Sequence, residues 1–153
     1  MTVPGGAALR LTQGAGYVLQ AMAALARAQG RGPVSLELLA RQESIPQSSL
    51  PKLMRPLIQA GLVASRPGTR GGVALARPAS SVSILEILEA AGDRYSTGHC
   101  VLHPQGVNGT GDCAVACVFT RAGNAVRREL GAATLAELAG RLARHHARSR
   151  RKA

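Results

Sequence analysis

The stretch from Ser35 to Leu75, SLELLARQESIPQSSLPKLMRPLIQAGLVASRPGTRGGVAL, constrains the fold more than any other part of the chain. Ser35 can cap a short helix that turns Leu36, Leu39 and Ala40 inward and sets Glu37 near its positive end. Ser44-Ile45-Pro46 breaks the chain. A second helix is predicted over residues 47–60, with Leu50, Leu53, Met54, Leu57 and Ile58 inward. Its outer face carries Ser48, Ser49, Lys52, Arg55 and Gln59, and Gly61 supplies its stop. Leu62–Ser65 and Gly72–Leu75 then read as strands joined by the tight turn RPGTRGG. Helix, turn, helix and basic hairpin describe a winged helix, with Arg66 and Arg70 at or near the tip of the wing. Pro56 conflicts with this reading, because a proline inside a helix removes a donor and costs about 3 kcal/mol. Either the helix kinks there or its boundaries differ from 47–60.

The flanks are helical. Val18, Ala21, Met22 and Leu25 mark one face of a helix from Thr12 to about Gln29. Ser83-Ile84-Leu85-Glu86 is a capping box that opens another, with Ile84, Ile87, Leu88 and Ala91 on one face. Val115, Phe119, Ala122, Val126 and Leu130 repeat through a helix of about four turns. Thr134 and Glu137 form a second capping box, which starts a last helix. With three aromatic residues in 153, the core must be built from Ala, Leu, Val and Ile, which favours helices over a sandwich or barrel.

The net charge is +11, and its distribution tells more than its total. No acid falls between Glu43 and Glu86, where Lys52, Arg55, Arg66, Arg70 and Arg77 stand. A second basic block, Arg141, Arg144, Arg148, Arg150, Arg151 and Lys152, lies at the C-terminal end and is expected to be a disordered tail. A one-signed field of this kind concentrates a polyanion, and double-stranded DNA fits the winged helix. Arg reads guanine bidentately, whereas Ser and Lys more often hold phosphate, so Ser48, Ser49, Lys52, Arg55, Arg66 and Arg70 are the candidate DNA contacts. No signal-peptide pattern or membrane-length apolar run is present, so a cytoplasmic location and no membrane partner are expected. Nor is there a phosphate loop or a recognisable catalytic constellation, so no enzyme is expected.

All three cysteines lie in GHCVLHPQGVNGTGDCAVAC, residues 98–117. An odd count in a reducing compartment argues against a disulfide framework and raises metal or thiol chemistry. Thiolates are soft anionic donors suited to iron–sulfur clusters. Cys113 and Cys117 are four apart, on one face if the helix has begun, and Cys100 on a flexible lead can close over them. His103, His99, Asp112, a small molecule or a partner subunit could complete the set, and His103 is favoured. Zinc, a thiol–disulfide switch using two of the three, and plain burial of a small apolar side chain remain open.

Taken together, LRLTQGAGYVLQAM, SLPKLMRPLIQAGLVASRPGTRGGVALARP, SILEILEAAG and ATLAEL resemble the IscR/NsrR-type regulators, the Rrf-two family of winged-helix transcription factors. The similarity covers roughly residues 9–140, and AGLV-S-x-x-G-x-x-GG is its most specific part. The resemblance implies a homodimer held by the long helix after the cysteines, binding a palindromic operator with two winged-helix units. In many members three cysteines before that helix hold an iron–sulfur cluster that sets DNA affinity. Cys100 matches the family's first cysteine and Cys113 its third. The chain departs from the pattern near Gly106, where the middle cysteine is missing, and Cys117 appears instead, close to where one branch places a histidine ligand. Another branch takes a ligand from an acid or histidine of the first helix; here Gly16 stands at the matching position, and residues 1–36 contain no Asp, Glu or His.

The expected fold is therefore mostly α with a small β-hairpin wing: a winged helix-turn-helix over residues 9–80, a sensor loop and long dimerisation helix over 81–140, and a basic tail over 141–153. The expected function is a DNA-binding regulator, a repressor, controlled by a 2Fe–2S or 4Fe–4S cluster on Cys100, Cys113, Cys117 and His103 that senses redox state, nitric oxide or iron. The alternative is a metal-free thiol-based redox sensor that keeps the DNA-binding face.

Overall fold

The computed structural model describes residues 11–92 and 114–150. Helix α1 (Gln13–Arg27) opens on Thr12, whose side chain accepts from Ala15 N. Its inner face of Ala15, Val18, Ala21, Met22 and Leu25 lies at the centre of the core. The small alanines let neighbouring helices come close, which is how a core with almost no aromatic residues reaches dense packing. Helix α2 (Leu36–Gln42), capped by Ser35, and helix α3 (Leu50–Gln59) follow. Strands β1 (Val63–Arg66) and β2 (Gly72–Leu75) pair antiparallel, with Val63 opposite Leu75 and Arg66 opposite Gly72. A 3-10 turn (Ala79–Ser81) leads to α4 (Ile84–Ala90), and α5 (Ala114–Ala132) and α6 (Leu135–Arg150) complete the described elements.

Leu50, Met54 and Leu57 of α3, Ile87 and Leu88 of α4 and Leu135 of α6 all meet α1 or its neighbours almost free of solvent. Each side chain of this size contributes about 1.5–3 kcal/mol by burial. The entrances to α4 and α6 are stitched together: Ile84 N donates to Ala133 O at 2.9 Å and Leu135 N to Val82 O at 2.8 Å. Both expected capping boxes form there, Ser83 with Glu86 and Thr134 with Glu137.

Two boundaries differ from expectation. Helix α3 begins at Leu50 rather than 47, because Ser49 N and Leu50 N both donate to Pro46 O and close a separate turn. Pro56 does not end the helix; Ala60 N donates to Pro56 O at 2.9 Å, so the ladder resumes beyond it. The segment expected to be disordered from residue 141 is helical as far as Arg150, the last described residue.

Candidate nucleic-acid interface

The face built by α2, α3 and the hairpin begins at the turn between the helices. Glu43 follows the end of α2, and Ser44 takes a left-handed backbone with φ of 55°. Ile45 then drops into the core, and its N–H donates to Ala40 O at 2.9 Å. The Glu43 carboxylate, 92% buried, accepts from the Arg27 guanidinium of α1, tying the turn to the central helix. Sequence reading missed this pair: two charges sixteen residues apart on separate helices leave no periodic signal.

Helix α3 turns Leu50, Met54 and Leu57 into the core and leaves Lys52 and Arg55 exposed. Ser48 is exposed in the preceding turn, and Ser49 is half-buried at the N-cap without using its hydroxyl as a cap. No acid stands in the first turn of α3, so its positive end faces outward without an internal anion. The hairpin packs beside α3 through β1, and Arg66 at the end of β1 and Arg70 in its turn are exposed.

Five cations occupy the acid-free stretch, and the structure separates them. Arg77 pairs with Glu86 at 2.8 Å. Lys52, Arg55, Arg66 and Arg70 have no acid within ion-pair reach among the described residues. The other described pairs lie elsewhere: Arg41 with Glu37 on α2, Arg127 of α5 with Glu89 of α4, and Arg128 with Glu129. The wing is fixed to the helices by Val34, which precedes the α2 cap and exchanges two backbone hydrogen bonds with Val73 of β2.

Of the expected ligands, Cys100, His103 and Cys113 lie outside the described residues, and Cys117 is the fourth residue of α5. Among the described residues no three His, Cys, Asp or Glu side chains come together as a metal site. Helix α5 packs mainly on α4, leaving Val118 61% exposed and Ala122 exposed, while Val126 and Leu130 are half-buried. Among the described residues, no helix is long and apolar enough to cross a membrane.

Residues 11–141 match the model of the Rrf2 family, described as an iron-dependent transcriptional regulator. The HTH-type transcriptional regulator IscR of Escherichia coli is 33% identical over 92 residues, which are 60% of this chain and 57% of that protein. The chain likewise spans about three-fifths of the length of other curated relatives it matches, 60% and 62% in two cases. Among solved structures, CymR, the global cysteine regulator of B. subtilis, superimposes with a TM-score of 0.70 at 28% identity, covering 86% of this chain and 97% of that one. IscR of T. potens gives 0.67 at 27% identity, covering 86% of each chain. The winged architecture, the order of elements and the family match over most of the chain agree: the protein belongs to the Rrf2 family of transcriptional regulators rather than to a family of enzymes.

Proposed function

We propose that the chain binds double-stranded DNA as a homodimer on a palindromic operator, acts as a repressor, and couples DNA affinity to an iron–sulfur cluster held by Cys100, Cys113, Cys117 and His103. The observation that carries the DNA reading is the set of four exposed cations without an acid in ion-pair reach among the described residues, Lys52 and Arg55 on α3 and Arg66 and Arg70 on the adjoining hairpin. In this reading Arg55 and Lys52 meet the major groove, and the wing arginines meet flanking phosphates or a minor groove. Ser48 and Ser49 sit at the uncapped positive end of α3, where a phosphate is stabilised. Dimerisation is supported by α5, whose Val118 and Ala122 are exposed along a helix that packs mainly on α4.

Three soft, anionic thiolates and an imidazole suit an iron–sulfur cluster as donors. When bound, the cluster supplies a group whose presence or oxidation state reports iron, redox state or nitric oxide. The chain's own part is the placement of these donors. Cys113 immediately precedes α5 and Cys117 is its fourth residue, so a constraint on the two thiols bears on the start of that helix. Helix α5 is joined to α4 by Arg127 and Glu89 at 2.5 Å, and α4 packs on α1 and α3. Shifting α5 therefore biases the spacing of two recognition helices, which is a population shift between binding-competent and incompetent dimers.

The test is anaerobic purification with an absorption spectrum, iron, sulfide and zinc analysis, and DNA binding with and without the metal. It covers the wild type and Cys100→Ala, Cys113→Ala and Cys117→Ala. Coloured protein with matched iron and sulfide, bleached by the substitutions and altered in DNA affinity on metal removal, is the expected result. Colourless protein free of iron after reconstitution overturns the cluster; a DNA affinity that then follows thiol oxidation assigns the control to the cysteines alone.

A further inference from the structure

The C-terminal half of α6 is rich in cationic residues that the helix-turn-helix does not use. Leu142 packs against the core, and Ala143 and Arg144 beyond it are exposed. Helix α6 nevertheless continues to Arg150. After Glu137 the sequence has no acid, while Arg141, Arg144, Arg148, Arg150, Arg151 and Lys152 are six of the nineteen lysines and arginines. Arg141 and Arg144 are exposed and have no acid within ion-pair reach among the described residues. Positions 141, 144 and 148 follow one another by three and four residues, so they share one face of the helix.

Such a face opposes its own helix. Like charges three or four apart destabilise it, and a favourable interaction with the helix dipole offsets this only within the last turn. Among the described residues no acid compensates Arg141 or Arg144, which points to a stabilising partner outside the molecule. It is a polyanion rather than a lipid surface, because beyond Leu142 the helix offers only Ala143 and Ala147 as apolar residues and has no wedge to bury in a bilayer. Five arginines to one lysine suit planar, bidentate contact with phosphate oxygens. Helix α6 reaches the rest of the fold chiefly through α1 and the 3-10 turn, not through α3 or the hairpin. Its partner phosphates are therefore not those gripped by the recognition helix.

We propose that the C-terminal half of α6, centred on Arg141, Arg144 and Arg148, is a second, sequence-blind contact to the phosphate backbone of DNA outside the segment read by α3. This rests on the DNA-binding reading above. The contact adds affinity and salt dependence to every duplex and leaves base preference to α3.

The experiment measures binding to a random-sequence duplex of about 40 bp across a salt series. It compares the full-length wild type, Arg141→Gln/Arg144→Gln/Arg148→Gln, and a charge-matched control, Arg31→Gln/Arg121→Gln/Arg128→Gln. Circular dichroism checks that each is folded. On the homodimer, loss of three arginines per protomer removes up to six phosphate contacts and should lower the slope of log affinity against log salt by about 5 and weaken binding roughly tenfold or more at low salt. The control should change far less. If the α6 variant matches the wild type, or the control loses as much, the α6 contact is wrong while DNA binding stands. If the wild type itself fails to bind duplex at low salt, the DNA-binding reading falls first and the α6 contact with it. Binding of anionic phosphatidylserine vesicles, but not duplex, through the same arginines would also overturn it.

Discussion

Val34 and Val73 exchange two backbone hydrogen bonds, each 2.8 Å long, so that the residue just before the α2 cap serves as a one-residue third strand beside the hairpin. The wing is thereby joined to the helix-turn-helix through main chain, independent of side-chain identity. This close approach explains Gly72. A Cβ there would stand 2.3 Å from Val34 O and 2.8 Å from Ser35 N.

Gly72→Ala should therefore cost about 2–4 kcal/mol, because the obstructing atoms are backbone already held by the bridge and the α2 cap. Gly30→Ala is the control: it has a left-handed φ of 86° but no atom within 4 Å of an added Cβ. It should cost about 1 kcal/mol. Urea denaturation of both variants checks the difference; equal losses would show that conformation, not contact with Val34, accounts for Gly72.

Ser44 holds φ at 55° in the turn between α2 and α3, a region where a side chain costs about 1–2 kcal/mol. Glycine removes that strain but adds freedom to the unfolded chain, a loss of about 0.5–1 kcal/mol. Ser44→Gly should stabilise the fold by about 0.5 kcal/mol, read as a higher urea midpoint. A lower midpoint would mean that the serine side chain contributes a contact of its own.

What could be read from the chain divides along physical lines. Ser35, Ser83 and Thr134 were legible as caps because capping is a contact within one turn, and the core faces of α1 and α3 because burial imposes a helical period. The Val34–Val73 bridge was not, since a single paired residue carries no period and its partner is far along the chain. The pairings Arg27–Glu43 and Arg77–Glu86 were equally hidden, and the second matters to the interface, because it withdraws one cation from a run that sequence alone presents as uniform. The last helix was expected to run into a disordered basic tail, because a run of like charge argues against regular structure, whereas α6 continues to Arg150. His103 was favoured as a fourth ligand from donor chemistry, and it lies outside the described residues.

Pro56 lies within α3, where its missing N–H leaves the carbonyl of Lys52 without the usual donor. Pro56→Ala restores that bond and relieves the ring's contact with the preceding turn. The gain is reduced because proline also limits the unfolded chain, by about 0.4–1 kcal/mol. The variant should be more stable by about 1–2 kcal/mol in urea denaturation. A neutral or destabilising result would show that the half-buried ring supplies packing that alanine cannot replace.

Glu86 predicts how stability responds to acid. Its carboxylate accepts from Ser83 N at 2.9 Å and from Arg77 Nη2 at 2.8 Å. The Ser83 backbone hydrogen bond is the larger cause, and with that from Arg77 it holds the carboxyl below its ordinary value of 4.5. A carboxyl with a lowered folded-state value contributes stability above the unfolded value, and that contribution is lost as pH falls through the folded one. The capping box and the Arg77 pair should thus be at full strength above the ordinary carboxylate range and fade below it. Glu86→Gln keeps a similar shape without a charge to titrate. Urea midpoints of wild type and variant should differ by a constant amount from about pH 7 to pH 5 and converge as the pH falls below about 4.5. A difference that stays constant through that acid range would mean that the Glu86 charge contributes nothing, and that the box acts through neutral hydrogen bonding alone.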